Sequence, residues 1–532
     1  MQNIRRKICE IYGEIRFIPI LRNFFRSHPR LSHTILLYIR KIKDKYSQKI
    51  IGGFIYVEKT LIKNIGITGI ALVFLGLTKL IFNISIGRVF GSSTLGIVTI
   101  AMSTAFLFVF VTGFFMTATP KYMAEYLGRD DLDSAKTMFK MGFFFTVCLS
   151  IVVTFITLML SGGISNKIGI ERNVFLSAIP LISLYTFYLT YRKIYYGVNE
   201  VKQYLRVEVI SDISFLVCLG VVVFYIKSLF LLPFILSYII FFILATYHFR
   251  SYFGHSANAN RKIIAKRATI FSSLDLIGHI SSMVTMNLSV VLTGLYVSKE
   301  WIGYYAAASS IALLLAFIPK MIDPVLFTSQ SYQFGKNRHD LINERLNTFT
   351  KWLLIITSLL GGLGILLSGL ILRILFGVSY TIASPILQLL FISGIISLIG
   401  TPINSTFYGT KYMHLSMLYG VIGSVVCVSS WLMLIPEYGV IGTAGGLCLG
   451  AISSLMFAMY YAYKHFDLDL KKNVKNLLIF GLILMIAYAI QVFCPYFPVI
   501  LSIGMFLLVF VLINKADLRY FYINIISYKR TT

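Results

Sequence analysis

The chain has 532 residues, 57% of them hydrophobic and only 13% charged, a balance that excludes an ordinary soluble domain. A net charge of +27 would suit nucleic acid. The basic residues, however, fall on one side of a membrane, so anionic lipid is the partner they imply and nucleic acid is not.

Residues 1–64 form a basic arm punctuated by Pro19 and Pro29, with apolar runs Phe17–Leu21 and Ile35–Ile39 too short to span a bilayer. Interleaved with Arg22, Arg26, Arg40 and Lys41, these runs suit amphipathic helices lying on the inner leaflet. A partly disordered, topology-setting tail is the alternative. No cleavable signal peptide is evident, because the first long apolar run begins after residue 64.

Fourteen apolar segments follow. Hydrocarbon offers no water to peptide groups, so a helical span needs roughly 20 mostly apolar residues. Spans are expected near 65–87, 95–119, 137–160, 174–196, 204–226, 228–248, 269–294, 302–327, 349–371, 382–403, 414–436, 438–463, 474–493 and 496–513. With the N-terminus inside, the inner segments carry 14 Lys/Arg before the first span and 26 after it. The outer gaps hold six: Arg88, Lys167, Arg172, Lys227, Lys299 and Arg373. Both termini are therefore expected in the cytosol of a multi-pass cell-membrane protein. Five of the six cysteines fall inside or at the edge of spans, where they read as reduced packing residues.

An internal repeat runs through this pattern. Adding 207 to Gly87, Gly96, Ala101, Ser103 and Gly128 lands on Gly294, Gly303, Ala308, Ser310 and Gly335. Six spans separate the copies, an even number, so both face the same way and are parallel repeats about an axis near the membrane normal. The fold class expected is an all-α polytopic membrane protein of about 14 transmembrane helices, with two parallel six-helix lobes and two appended C-terminal helices. The lobes cover 65–250 and 269–463, joined by a cytosolic loop at 251–268. The appended helices occupy 464–513, and 514–532 is a cytosolic tail. Two lobes with a cleft between them are the geometry of alternating access.

The same residues carry a family likeness. The turn Arg88-Val-Phe-Gly-Ser-Ser-Thr-Leu-Gly96, the loop Glu125–Asp133, the stretch Gly294–Ala308 with its Gly303-Tyr-Tyr-Ala core, and the segments Gly377–Gly409 and Gly439–Gly450 resemble polysaccharide flippases of the Wzx type. Those belong to the multidrug/oligosaccharidyl-lipid/polysaccharide (MOP) superfamily. The resemblance implies inner-to-outer movement of a glycan linked to undecaprenyl or dolichyl (pyro)phosphate, for surface polysaccharide biosynthesis. It also implies polysaccharide assembly enzymes as partners. The chain departs from the family at Asn287, where an acidic residue is common, so no carboxylate role carries over there.

Ionisable groups inside a membrane are costly unless they face a cavity or a partner. Lys79 lies about 21 Å along span 1 at about 1.5 Å per residue, with Asn83 one turn on and Arg88 at the outer edge. A cationic cavity formed by these, with Asn287, would hold a lipid-linked pyrophosphate. Snorkelling of Lys79 and interfacial anchoring by Arg88 are the alternatives. Span 7 carries Asp275, His279 and Ser282 as one polar stripe. The stripe either lines the cleft and takes up coupling ions, or satisfies itself against neighbouring helices. Lys320 and Asp323, before Pro324, read as a gate contact or an intrahelical pair. Gly442, Gly446 and Gly450 form overlapping GxxxG units that close helix packing explains.

Two rivals stand beside a flippase. A multidrug or metabolite cation antiporter of the same superfamily would want acidic groups in its lumen. A membrane glycosyltransferase or polymerase could use Asp131-Leu-Asp133 or Asp467-Leu-Asp469 to hold a divalent metal. Both triplets sit in short inner loops, and the outer gap 161–173 is too short for a catalytic loop. No ATP-binding glycine loop occurs. No catalytic residue, metal site or cofactor is expected.

Overall fold

The computed structural model describes residues 69, 74, 76–256, 260–493 and 502–511. The basic arm at 1–64 and the tail at 514–532 lie outside the described residues. Among the described residues, ten helical stretches are long and apolar enough to cross a membrane. Two of them are pairs. The stretch Gly76–Thr112 is interrupted at Gly91, whose φ of +85° a side chain would resist. A Cβ built on Gly87 would lie 3.3 Å from the tip of Leu95. In one straight helix those positions are about 12 Å apart along the axis, so the chain doubles back, giving α1 (76–90) and α2 (92–107). Met413–Phe466 likewise breaks at Gly439, φ 53° and ψ −128°, into α16 (413–438) and α17 (440–466).

Between them run α3 (Ala118–Leu127), α4 (Leu132–Met159), the short α5 (Ser161–Ile168), α6 (Arg172–Gly197), α7 (Val201–Val221) and α8 (Leu232–His248). The second half begins with α9 (Arg261–Met283), a π-helical turn at Val284–Leu288 and α10 (Ser289–Tyr296). It continues with α11 (Lys299–Leu315), α12 (Phe317–Gly335), α13 (His339–Leu366), the short α14 (Ser368–Leu375) and α15 (Ser384–Gly409). After α17 come α18 (Leu470–Phe493) and the described part of the last helix, α19 (Ser502–Val511). The expected loop at 251–268 is shorter than read: α9 starts at Arg261 because the Asn260 side chain caps it, accepting from the Ile263 N–H at 3.3 Å.

The repeat is visible in the helix ends. Both α4 and α13 are 28 residues long, and α5 and α14 are 8. Each later helix starts 207 residues after its counterpart. The two copies also meet. A Cβ on Gly96 would lie 1.8 Å from the Lys299 carbonyl oxygen, and one on Gly303 would lie 1.9 Å from the Ser92 carbonyl oxygen. Gly96 and Gly303 are repeat partners, and so are Ser92 and Lys299. This reciprocal contact is what a two-fold axis between like elements produces.

Packing follows the membrane rule rather than the soluble one. Along α4 the exposed side chains include Phe144, Ile151 and Phe155, while Thr146, Ser150 and Thr157 are buried. Thr146 and Thr157 donate to the Gly142 and Val153 carbonyls of their own helix at 2.8 and 2.7 Å, and apolar groups face outward, as a hydrocarbon solvent demands. In the α16–α17 hairpin, Cβ atoms on Gly442, Gly446 and Gly450 would lie 2.3 Å from the Leu434 oxygen, 2.4 Å from Trp431 and 2.1 Å from the Cys427 sulfur. The GxxxG pattern is therefore a close-packing seam, further tied by Trp431 Nε1 donating to the Thr443 oxygen at 3.1 Å.

Candidate functional site

On the face opposite the Lys/Arg-rich one, the lobes are fastened together. Lys299 Nζ donates to the Ile168 carbonyl at 2.5 Å, at the C-terminal end of α5 in the first lobe. Arg88 from the first lobe donates to the Ile374 carbonyl, at the matching end of α14 in the second. Each lobe thus sends one cation to the negative end of the other lobe's short helix, where cations are favoured. Tyr380 adds a third link, its hydroxyl donating to the Gly87 oxygen at 3.1 Å.

Toward the basic face lies a cavity of about 790 Å³, walled by α9, α15, α16 and α17. Its lining runs from Met413 to Cys427 on α16, about 21 Å along a helix axis. Met413 and Tyr408, toward the basic end, are exposed. The polar lining is mostly hydroxyl, from Ser281, Ser282, Thr285, Ser393, Ser416 and Ser424, with the amide of Asn404. Among the described lining residues Asp275 is the one carboxylate, and Lys121 and His414 supply the basic groups.

At the mouth, α9 leans on the first lobe through a polar knot. His279 Nε2 stands 3.0 Å from Asp275 Oδ2 and 2.9 Å from Thr117 Oγ1. Lys193 Nζ, from α6, donates to Thr117 Oγ1 at 2.7 Å and lies 3.5 Å from His279 Nε2. The Lys121 ammonium sits 3.6 Å over the Phe271 ring. Burial pushes its pKa below the ordinary lysine value, against the opposing pull of Glu125 and Asp275. Nearby, Tyr122 donates to the Arg267 carbonyl at 3.3 Å.

Of the residues singled out in the sequence, Asp275 lines this cavity and His279 joins it through the knot. Lys79, Asn83, Arg88 and Asn287 are not on its lining. Lys79 turns into the first lobe, 5.7 Å over the Tyr185 ring and within electrostatic reach of Glu208 and Asp212. Asn83 is half-buried further along α1. Asn287 sits in the π turn and donates to the Met283 oxygen of its own helix at 3.4 Å. Asp323 accepts from the Ser405 hydroxyl. Lys320 lies on α12, with its side chain outside the described residues.

Four further charges of the first lobe, Arg192, Lys193, Glu208 and Asp212, are not among the candidates the sequence offers. Glu208 and Asp212, one turn apart on α7, are 1% and 6% exposed. Tyr188 donates to Glu208 Oε1 at 2.8 Å, and Arg192 is the strongest counter-charge acting on that carboxylate. Arg192 and Lys193 lie near the inner end of the expected span 174–196. Their adjacency to two carboxylates on the next span was the signal available.

Each Asp-x-Asp triplet makes a contact that holds local structure. Asp131 caps α4, accepting from the Ser134 N–H at 2.9 Å, and Asp467 accepts from Asn343 at 2.9 Å.

Comparison with known proteins agrees with this geometry. Residues 68–226 match the MatE family model, under a third of the chain. No curated protein matches by sequence. The lipid II flippase MurJ in an inward closed conformation superposes with a TM-score of 0.65 at 18% identity, over 85% of this chain and 99% of that one. The chain has the fold of the MOP transporters. An inward-facing multidrug resistance MATE transporter of that superfamily gives 0.63 at 12% identity, over 74% of this chain and 95% of the other. An outward-facing MATE structure gives 0.57 at 13%, over 78% and 96%.

Proposed function

We propose that this chain is an alternating-access flippase for a lipid-linked glycan, moving a polyprenyl (pyro)phosphate-linked oligosaccharide from the leaflet at the basic face to the opposite one. The basic face is read as cytosolic, in the cell membrane, by the positive-inside rule. The observation that carries the reading is the hydroxyl-lined cavity with lysines at its mouth. A space of about 790 Å³ suits a small oligosaccharide head. Ser and Asn groups exchange hydrogen bonds with sugar hydroxyls, and Lys121 and Lys193 attract a phosphoryl group. Fastening of the lobes at Gly96, Gly303, Arg88 and Lys299 fits a protein waiting for substrate from the basic side.

A cation exporter is the second reading, favoured by Asp275 in the cavity and by the MatE match. Deleting the gene separates the two. The flippase reading expects loss of surface glycan, with lipid-linked oligosaccharide accumulating inside. Normal surface glycan with raised sensitivity to cationic drugs would favour the exporter instead.

A further inference from the structure

Two lysines of the first lobe, Lys121 and Lys193, converge on one carboxylate of the second, Asp275. Both lie within electrostatic reach of it. Lys121 and Asp275 share the cavity lining, and Lys193 joins through Thr117 and His279, at 2.7 and 3.5 Å. Asp275 is 23% exposed and His279 17%, so the group is reachable from the cavity without being solvated like a surface pair. Glu125 also acts on Lys121, more strongly than Asp275 does, so Asp275 is the carboxylate of the cavity lining that the two lysines share.

We propose that Lys121 and Lys193 form the subsite for the phosphoryl head of the substrate, and that Asp275 occupies it as an internal stand-in while the protein is unloaded. The inference rests on the flippase reading and adds a residue-level account of how the head group is taken. A diphosphate carries more charge and more acceptor oxygens than a carboxylate, so it outcompetes Asp275 for both lysines and for the Thr117 hydroxyl. Displaced, Asp275 no longer steadies His279 against Thr117, and α9 loses one of its holds on the first lobe. Substrate arrival and release of the lobe contact are then the same event. Asp275 also screens the site against weaker anions, because each must repay the lost attraction of the lysines for its carboxylate.

The test is binding of farnesyl diphosphate to the purified full-length protein in detergent. Farnesol, inorganic pyrophosphate and phosphatidylglycerol serve as the other arms. Lys193→Ala is expected to weaken farnesyl diphosphate binding by about tenfold or more, the worth of one charge-assisted hydrogen bond. Lys193→Arg should keep most of it. Asp275→Asn should tighten binding several-fold, because the competitor is gone. Farnesol binding should not respond to any of these changes. The opposite signs are the diagnostic. A merely structural knot would make both Lys193→Ala and Asp275→Asn weaken every ligand alike, which would overturn the proposal. Equal dependence for phosphatidylglycerol would reassign the subsite to bulk lipid and overturn it as a substrate site. If the wild type binds farnesyl diphosphate and neither variant changes that, the subsite alone falls. If the wild type binds no prenyl diphosphate, the substrate reading falls and the subsite with it.

Discussion

Replacing Gly303 with leucine is expected to abolish transport while leaving the protein in the membrane. A side chain at this position has nowhere to turn: its Cβ would lie 1.9 Å from the Ser92 oxygen and 2.6 Å from the Ser92 carbonyl carbon. Those are backbone atoms, which cannot rotate away as a side-chain tip could. The lobes must separate on the face where they are now fastened, and the state open to the basic face is lost. Gly96→Leu should do the same through Lys299, whose oxygen would lie 1.8 Å from the new Cβ. Gly163→Ala is the control, since nothing lies within 4 Å of its Cβ position. Thiol labelling reads the result. A single cysteine at Ser282, on the cavity wall, placed in a background lacking the native cysteines, should become reactive from outside intact cells only in the Gly303 and Gly96 variants. Unchanged labelling with full transport would refute the closed-face geometry.

The second large effect is on stability. Arg192→Ala should cost about 3–5 kcal/mol, the range for breaking a buried charge group by removing one member. Glu208 is 1% exposed, with Arg192 as the strongest positive charge acting on it and Lys79 contributing further. Without the guanidinium, a buried carboxylate is left among aromatic rings. Glu208→Gln keeps the shape and an acceptor for the Tyr188 hydroxyl, so it should cost less. The double variant Arg192→Ala/Glu208→Gln should recover part of the single loss, because the orphaned charge is gone. Thermal unfolding of the four proteins in one detergent gives the cycle. Simple additivity of the two single changes would show that the groups do not act as a unit.

Both predictions bear on what the residues disclosed before the structure. The spans were legible because a bilayer imposes one length and one polarity on every helix. The repeat was legible because its glycines are enforced: Gly96 and Gly303 admit no Cβ, so the offset of 207 that joins them is a record of contact. The GxxxG seam in α17 was legible for the same reason. The site was legible only in part. Asp275 and His279 stood out as a polar stripe on one helix. Their partners Thr117 and Lys193 come from the other lobe, more than 80 residues away in sequence, and helical spacing says nothing across lobes. Lys79 stands out by its depth in span 1, yet depth along a helix does not tell which way a side chain turns. It turns toward Glu208 and Asp212, carboxylates that the same reasoning about cost would have found on span 5. Asn287 sits in a π turn, which rotates the following residues relative to a regular helix, so its facing could not be read from a period of 3.6.

The central claim is movement of a phosphate-linked glycan lipid across a bilayer, and reconstitution measures it directly. Vesicles are made with a fluorescent polyprenyl diphosphate oligosaccharide in both leaflets, with and without the purified protein, and an impermeant reductant is added outside. The account predicts that protein-containing vesicles lose nearly all their fluorescence, as inner-leaflet lipid is brought to the outer surface. Protein-free vesicles, and vesicles carrying the Gly303→Leu variant, should lose only the outer-leaflet share. Wild-type vesicles that stop at the outer-leaflet share, although the protein is folded and inserted, would contradict the flippase reading.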